Sequence, residues 1–331
     1  MKIVVDENVL FAREYFGQLG ELVLLPGRDI QAADVVDADV LIVRSVTRVD
    51  AALLSQSRVT FVGSCTIGTD HLDTDWLTAQ GIAWACAPGC NATAVVEYVL
   101  AALAVLQVPL DGSARIGVVG CGNVGGRLLR CLQAHGATTA CAYDPFRHDA
   151  GVPWVGFDEI LRCDVLCLHT PLTRDGLFPT WHLFNEQVIN GLRSGTVLLN
   201  AGRGAVVDNR ALLTRLQQRG DLHVVLDVWE NEPAIDAALL AAVRIGTPHI
   251  AGYSVEGKWR GTTQVFASLC AARGIAMPAI DVVLPGEPAP YPILQDDSDL
   301  RSRYALDGAQ GFDALRKQYA HRREQGVVSL T

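Results

Sequence analysis

Arg115-Ile116-Gly117-Val118-Val119-Gly120-Cys121-Gly122-Asn123-Val124-Gly125 decides the fold of this 331-residue chain. The first five residues read as a short buried strand, three glycines follow at G-x-G-x-x-G spacing, and Arg127-Leu128-Leu129-Arg130-Cys131-Leu132 opens a helical pattern. Strand, glycine turn and helix N-terminus in that order give the spacing its mechanism. Gly120 permits the tight turn, Gly122 lets the backbone approach a pyrophosphate, and Gly125 lets the helix pack on the strand. The helix's free N–H groups and positive dipole end hold the diphosphate. With 31 glycines in the chain the spacing alone is weak, but the next strand, Ala140-Cys141-Ala142-Tyr143, ends in Asp144, nineteen residues past Gly125. An acid there accepts hydrogen bonds from the adenosine ribose hydroxyls and repels a 2′-phosphate, which predicts NAD rather than NADP.

Similar strand-like runs extend in both directions. Upstream lie Lys2–Val5, Glu21–Leu25, Val40–Val43, Thr60–Gly63 and Ala83–Ala85. Downstream, after Arg115–Val119, come Thr139–Asp144, Asp164–His169, Thr196–Asn200, His223–Val228 and Arg244–Thr247. Strands alternating with helical patterns predict parallel sheets covered by helices on both faces. The expected fold is α/β, with two Rossmann-like doubly wound parallel-sheet domains, an interdomain cleft and a small C-terminal α+β dimerisation segment. Helices over Ala92–Gln107 and Thr262–Arg273 serve as crossing segments, so the first domain is discontinuous. The expected boundaries are 1–93 with 255–277 for a flavodoxin-like substrate domain, 94–254 for the NAD-binding domain and 278–331 for the C-terminal segment. That last segment clusters prolines, then acids, then a basic helical run over Leu315–Arg323.

Three polar residues end apolar runs of the second domain: Arg203 in Asn200-Ala201-Gly202-Arg203-Gly204, Glu232 in Asp227-Val228-Trp229-Glu230-Asn231-Glu232-Pro233, and His249 in Thr247-Pro248-His249-Ile250-Ala251-Gly252-Tyr253. A guanidinium grips a carboxylate with two parallel hydrogen bonds, which lysine cannot do. An imidazole titrates near neutrality and takes a proton from an alcohol, and a neighbouring carboxylate orients it. These groups are what oxidation of a 2-hydroxy acid requires, with Arg203, Glu232 and His249 as the catalytic set. His71 and His169 stand as competitors for the base.

Together these motifs resemble the D-isomer-specific 2-hydroxyacid dehydrogenases, from Met1-Lys2-Ile3-Val4-Val5-Asp6-Glu7-Asn8 to about Lys317. Val43–Val49, Gly63–His71 and Ala251–Lys258 make the chain look most like the branch that oxidises a 4-phosphorylated four-carbon acid for pyridoxal 5′-phosphate synthesis. The resemblance implies that Ser45, Thr66 and Tyr253 contact substrate. It also implies that Asn123, Val124, Asp144, Thr170, Ala201, Arg203, Asp227 and Gly252 join Gly120, Gly122 and Gly125 at the NAD site. It further implies a homodimer made through the C-terminal segment, which is apparently shortened here. A terminal phosphate needs cations, and the candidates are Arg44 and Arg48 beside Ser45, and Lys258 with Arg260 past Tyr253. Two alternatives remain open: a related enzyme acting on another 2-hydroxy acid such as 3-phosphoglycerate, and an NAD-sensing binding protein of the corepressor kind.

Bulk properties narrow the class. Hydrophobic residues make up 50% of the chain and charged ones 19%, enough apolar material for more than one core. A net charge of −9 with no basic stripe argues against nucleic acid. Nine scattered cysteines suit a reducing compartment, and Cys86 and Cys90 lack the second pair that a zinc site requires, so no metal is expected. No signal peptide is indicated, and the apolar run from Val95 to Val108 is interrupted by Glu97 and Gln107 and too short to span a bilayer. The expectation is a soluble cytoplasmic enzyme with a small-molecule substrate and no membrane partner.

Overall fold

The computed structural model describes residues 1–319 and 322–326 and divides into two compact units. The first comprises Met1–Asn91, Ser254–Glu287 and the described residues of His321–Arg323; the second holds Ala92–Tyr253 and Pro288–Ala320, again where described, with residues from Glu324 onward.

The first unit runs β1 (Lys2–Asp6), α1 (Ala12–Phe16), β2 (Glu21–Leu25), α2 (Ala32–Val35), β3 (Val40–Val43), α3 (Ala51–Leu54), β4 (Phe61–Ser64), α4 (Thr74–Ala79) and β5 (Ala83–Ala85). All strand pairs are parallel, in the order β2-β1-β3-β4-β5. Parallel strands covered on both faces read as continuous apolar runs, and Val40-Leu41-Ile42-Val43 is buried at every position. The strand order reverses beside β1, so the gap beyond the ends of β1 and β3 is a topological switch point, where such sheets bind ligands. Asp6 and Arg44 lie there.

The second unit runs α5 (Ala92–Val105), β6 (Ile116–Val119), α6 (Asn123–Ala134), β7 (Cys141–Tyr143), α7 (Phe157–Ile160), β8 (Val165–Leu168), α8 (Glu186–Gly191), β9 (Val197–Asn200), α9 (Asn209–Arg219), β10 (His223–Leu226), α10 (Ala237–Ala242) and β11 (Ile245–Gly246). Its six parallel strands are ordered β11-β10-β9-β8-β6-β7, with the switch point between β6 and β8. Apolar clusters lie on both faces of this sheet.

Helix α11 (Val255–Ala272) belongs to the first unit and starts seven residues earlier than the apolar periodicity predicts. The Ser254 side chain caps it by accepting from the Gly257 N–H, so the polar stretch through Lys258 is the first turn of the helix rather than a loop. Past Met277 the named elements are α12 (Ile293–Asp307) and α13 (Ala309–Lys317). Both dock on the second unit: Leu300 and Phe312 are fully buried in its apolar cluster, and Arg301 donates to the carbonyls of Leu240 and Val243. The predicted basic helix over 315–323 is thus the end of a helix that begins at Ala309 and stops at Lys317. Ala320 and His321 of that run, like the terminal Val327–Thr331, lie outside the described residues.

Candidate active site

The glycine loop has the geometry its sequence predicts. Gly120 sits at φ 85°, and a Cβ there would lie 2.8–2.9 Å from Thr170 and His169. A Cβ on Gly125 would fall 1.9 Å from the Gly120 carbonyl oxygen, so only glycine lets α6 approach β6. Around Gly122 nothing lies within 4 Å of the same position, and no side chain of the N-cap residue accepts from the first N–H groups of α6. Asn123 and Val124 begin that helix. Asp144, at the end of β7, turns its carboxylate toward the loop and accepts from the Cys121 N–H at 3.0 Å and the Phe146 N–H at 3.0 Å. Across the switch point, both ring nitrogens of His169 and the Thr170 hydroxyl are buried without partners. Burial depresses the His169 imidazole to about 4, so it is neutral. Orphaned polar atoms beside an open glycine loop fit a bound dinucleotide.

The catalytic candidates follow the next three strands. Asn200, buried at the end of β9, folds the Arg203 loop: its amide donates to the Arg203 carbonyl at 3.0 Å and its oxygen accepts from the Gly202 N–H at 3.1 Å. Ala201 packs against the sheet, and Arg203 donates back to the Gly202 carbonyl at 3.0 Å. A Cβ on Gly204 would lie 1.9 Å from the Trp229 carbonyl oxygen, so this loop and the one carrying Glu232 are in backbone contact.

Beyond β10, Asp227 is 1% exposed. One carboxylate oxygen accepts from the Thr247 hydroxyl at 2.7 Å and the Ile250 N–H at 2.8 Å; the other accepts from the Ala251 N–H at 3.0 Å. Burial pushes its pKa up, opposed by the charge of His249 and by these bonds. Tyr98 extends the network to Thr247 at 2.7 Å, and the Trp229 indole holds the Thr247 carbonyl at 3.0 Å. Held between these bonds, His249 takes φ 57°, a left-handed conformation that costs a non-glycine residue on the order of 1 kcal/mol or more.

That backbone delivers the imidazole to Glu232. His249 Nδ1 lies 2.7 Å from Glu232 Oε2, and Glu232 Oε1 accepts from the Trp229 N–H at 2.8 Å. Burial raises the Glu232 pKa, but the His249 charge and hydrogen bond, together with Arg316, outweigh it and hold the carboxyl below its ordinary value. The rival histidines differ in their surroundings. His71 Nε2 is bonded to Ser64 at 2.9 Å, and His169 faces no carboxylate. A second histidine–carboxylate pair, unread in the sequence, joins His182 to Glu230 at 2.7 Å. Its other ring nitrogen lies 3.6 Å from Asp208, so both edges of that ring face carboxylates. Of these histidines, His249 is the catalytic candidate whose Nδ1 sits on the Glu232 carboxylate.

Tyr253 closes the turn after Gly252 through its N–H to Ile250, and its side chain is hydrogen-bonded to Arg316. In the first unit Ser45 is exposed just past β3, and Thr66 is bonded to Ser64 at 2.8 Å, in a chain that continues to His71. Arg44 pairs with the buried Asp6 at 3.0 Å. Lys258 is depressed to about 8 by burial and then by the positive charge of Arg44, which brings two cations together at the switch point. The other two phosphate candidates are occupied elsewhere: Arg48 is exposed and paired with Asp50, and Arg260 donates to the Cys90 carbonyl at 2.7 Å.

The chain is 50% identical to the erythronate-4-phosphate dehydrogenase of Teredinibacter turnerae, over 100% of this chain and 95% of that protein. It is likewise 50% identical to the enzyme of the same name from Cellvibrio japonicus, over 98% and 93%. The chain belongs to the erythronate-4-phosphate dehydrogenase family. Residues 106–251 match the model for the D-isomer specific 2-hydroxyacid dehydrogenase NAD binding domain, so the dinucleotide that this family's loop receives is NAD. The fold is similar to that of D-lactate dehydrogenase from Aquifex aeolicus, solved with NAD and lactic acid, at a TM-score of 0.69 and 24% identity over 83% of this chain and 96% of that one. Among the described residues no helix is long and apolar enough to cross a membrane.

Asp144 generates a test of cofactor choice. This family member is expected to prefer NAD over NADP at least tenfold, about 1.4 kcal/mol of binding, and Asp144→Ala to narrow the gap. Steady-state kinetics with both cofactors check it; equal efficiency in the unmutated protein would contradict the role given to Asp144.

Proposed function

We propose that this chain oxidises 4-phospho-D-erythronate to (3R)-3-hydroxy-2-oxo-4-phosphooxybutanoate with NAD, a step toward pyridoxal 5′-phosphate (vitamin B6), and that His249 is the base. The observation that carries the chemistry is the 2.7 Å contact between His249 Nδ1 and Glu232. With Nδ1–H donating to the carboxylate, the lone pair sits on Nε2, ready for the substrate hydroxyl proton. Bound NAD supplies the acceptor for the hydride. Arg203 clamps the substrate carboxylate and polarises the carbonyl as it forms, while Ser45, Thr66 and Tyr253 contact the rest of the substrate. Asn123, Val124, Asp144, Thr170, Ala201, Asp227 and Gly252 line the NAD site with the three loop glycines. The substrate phosphate is assigned to Arg44 and Lys258, since a dianion placed against two adjacent cations relieves their mutual repulsion. We further propose a cytoplasmic homodimer, with residues past Met277 contributing to its contact surface.

Proton transfer sets the acidic side of the pH profile. Glu232, held below its ordinary pKa, stays ionised while a histidine titrates, so the limb reports the imidazole. A protonated imidazole cannot accept the hydroxyl proton, so kcat/KM for oxidation is expected to fall as pH falls. His249→Asn should cost roughly 10²-fold or more in kcat, and Glu232→Gln should move the limb to lower pH. Near-normal turnover of His249→Asn with an unchanged limb would transfer the base to another residue.

Phosphate recognition sets the alkaline side. The ligand-free enzyme loses the Lys258 charge as pH rises through about 8, so kcat/KM for 4-phospho-D-erythronate is expected to decline there. Unphosphorylated D-erythronate should be the poorer substrate by about tenfold or more, the worth of a charge-assisted hydrogen bond, and should lack that decline. Lys258→Ala should abolish the decline and the discrimination should shrink. Equal use of both acids by the parent protein would overturn the phosphorylated substrate; discrimination unchanged in Lys258→Ala would overturn only this phosphate site.

A further inference from the structure

We propose that Arg316, on the C-terminal helix α13, is a positioning residue of the proton-transfer site: it shares the Glu232 carboxylate with His249, fixing that carboxylate and drawing part of its negative charge away from the imidazole. Its Nη1 lies 4.0 Å from Glu232 Oε2, the same oxygen that His249 Nδ1 contacts at 2.7 Å. The inference rests on the reading of His249 as the base.

Several observations converge on this placement. The Arg316 side chain is 15% exposed and stands over the Phe312 ring at 6.0 Å, and its Nε is buried without a partner. A guanidinium so far out of water is costly unless charge nearby offsets it. That charge is Glu232, and the Tyr253 side chain supplies a hydrogen bond. Tyr319, just past the end of α13, packs edge-on against Tyr253 at 5.7 Å and donates to Asp296 at 2.9 Å, which fixes the end of the helix. The pieces come from separate parts of the chain: α13, the loop after β10 and the turn after β11. Nothing in the motif pattern brings Arg316 to this site.

Asp227 and Arg316 are charged groups that interact with the pair, and Tyr253 and Asp313 act in turn on Arg316. Asp227 and Glu232 place negative charge beside the imidazole. Arg316 opposes both, directly by its own positive charge and indirectly by occupying Glu232. An enzyme oxidising an alcohol near neutral pH needs its histidine unprotonated before the proton arrives. Glu232 orients the ring but favours the wrong protonation state for that direction, and Arg316 reduces this second effect while leaving the first.

The test is the acidic limb of kcat/KM for 4-phospho-D-erythronate oxidation in Arg316→Met, which keeps the apolar stem over Phe312, and in Arg316→Lys. Arg316→Gln, which retains a donor for Tyr253, serves if the methionine variant does not fold. The neutral variant should move the limb about one pH unit higher, roughly the effect of one partly screened charge at this range, with a loss of up to about tenfold below both limbs. The lysine variant should lie nearer the parent. In a Glu232→Gln background the neutral substitution should shift the limb less, because the route through the carboxylate is gone and only the direct effect of the positive charge remains. An unshifted limb in a folded neutral variant would overturn the proposal. So would a rise in KM alone, which would make Arg316 a substrate contact. His249→Asn run in parallel separates the two readings: if it retains the parent's turnover and limb, the base assignment has failed rather than the part given to Arg316.

Discussion

The site depends on one buried carboxylate. Asp227 gathers the Thr247 hydroxyl and the N–H groups of Ile250 and Ala251, and its own carbonyl accepts from the His249 N–H at 2.8 Å. Four hydrogen bonds thereby fold the residues around His249 into a turn that an L-residue adopts only under constraint. Burying a carboxylate is unfavourable, as its raised pKa records, and the turn is what the bonds return. Without that turn the His249 ring would have no reason to meet Glu232, and the lone pair on its far nitrogen would have no fixed direction. On the proposed reading of His249 as the base, proton transfer therefore depends on a residue one strand away.

The topology explains why so many of the candidate side chains gather in the second unit. Each parallel strand releases its chain at the same edge of the sheet: Gly120 after β6, Asp144 after β7, His169 and Thr170 after β8, Arg203 after β9, Asp227 after β10 and His249 after β11. The switch point between β6 and β8 leaves a gap for the dinucleotide at that edge. The first unit repeats the plan on a smaller scale, with Asp6 ending β1 and Arg44 and Thr66 following β3 and β4. Chemistry at the carboxyl ends of strands is thus a consequence of βαβ winding, and sequence differences in the short loops decide which chemistry it is.

Much of this was legible in the chain itself. Strands buried on both faces must be apolar throughout, so Val40–Val43 and Val165–Leu168 stand out against their polar loops. Gly120 and Gly125 announce backbone approaches that no other residue permits, and Arg203, Glu232 and His249 follow apolar runs at strand ends. Other features were not readable. The first turn of α11 is polar, with Glu256, Gly257 and Lys258 in place of an apolar stripe, and only the Ser254 cap marks its start. The pairing of His182 with Glu230 spans 48 residues and belongs to no motif. Arg316 sits in a basic run that resembles a solvated tail, and its neighbours are set by how α12 and α13 dock. Asp227 was read as a cofactor contact; its hold on the His249 turn is a tertiary arrangement that periodicity does not encode.

The dependence on Asp227 is open to direct measurement in a crystal structure of Asp227→Asn at a resolution that defines the backbone of residues 247–251. An asparagine puts an N–H₂ group where one carboxylate oxygen accepts, so at least one donor of the turn is left facing another donor. His249 is expected to leave φ near 57° for the negative-φ region, and the 2.7 Å contact with Glu232 to be lost. A variant that keeps the left-handed His249 and its bond to Glu232 would contradict it, and would show that the turn is held by its own sequence rather than by the buried carboxylate.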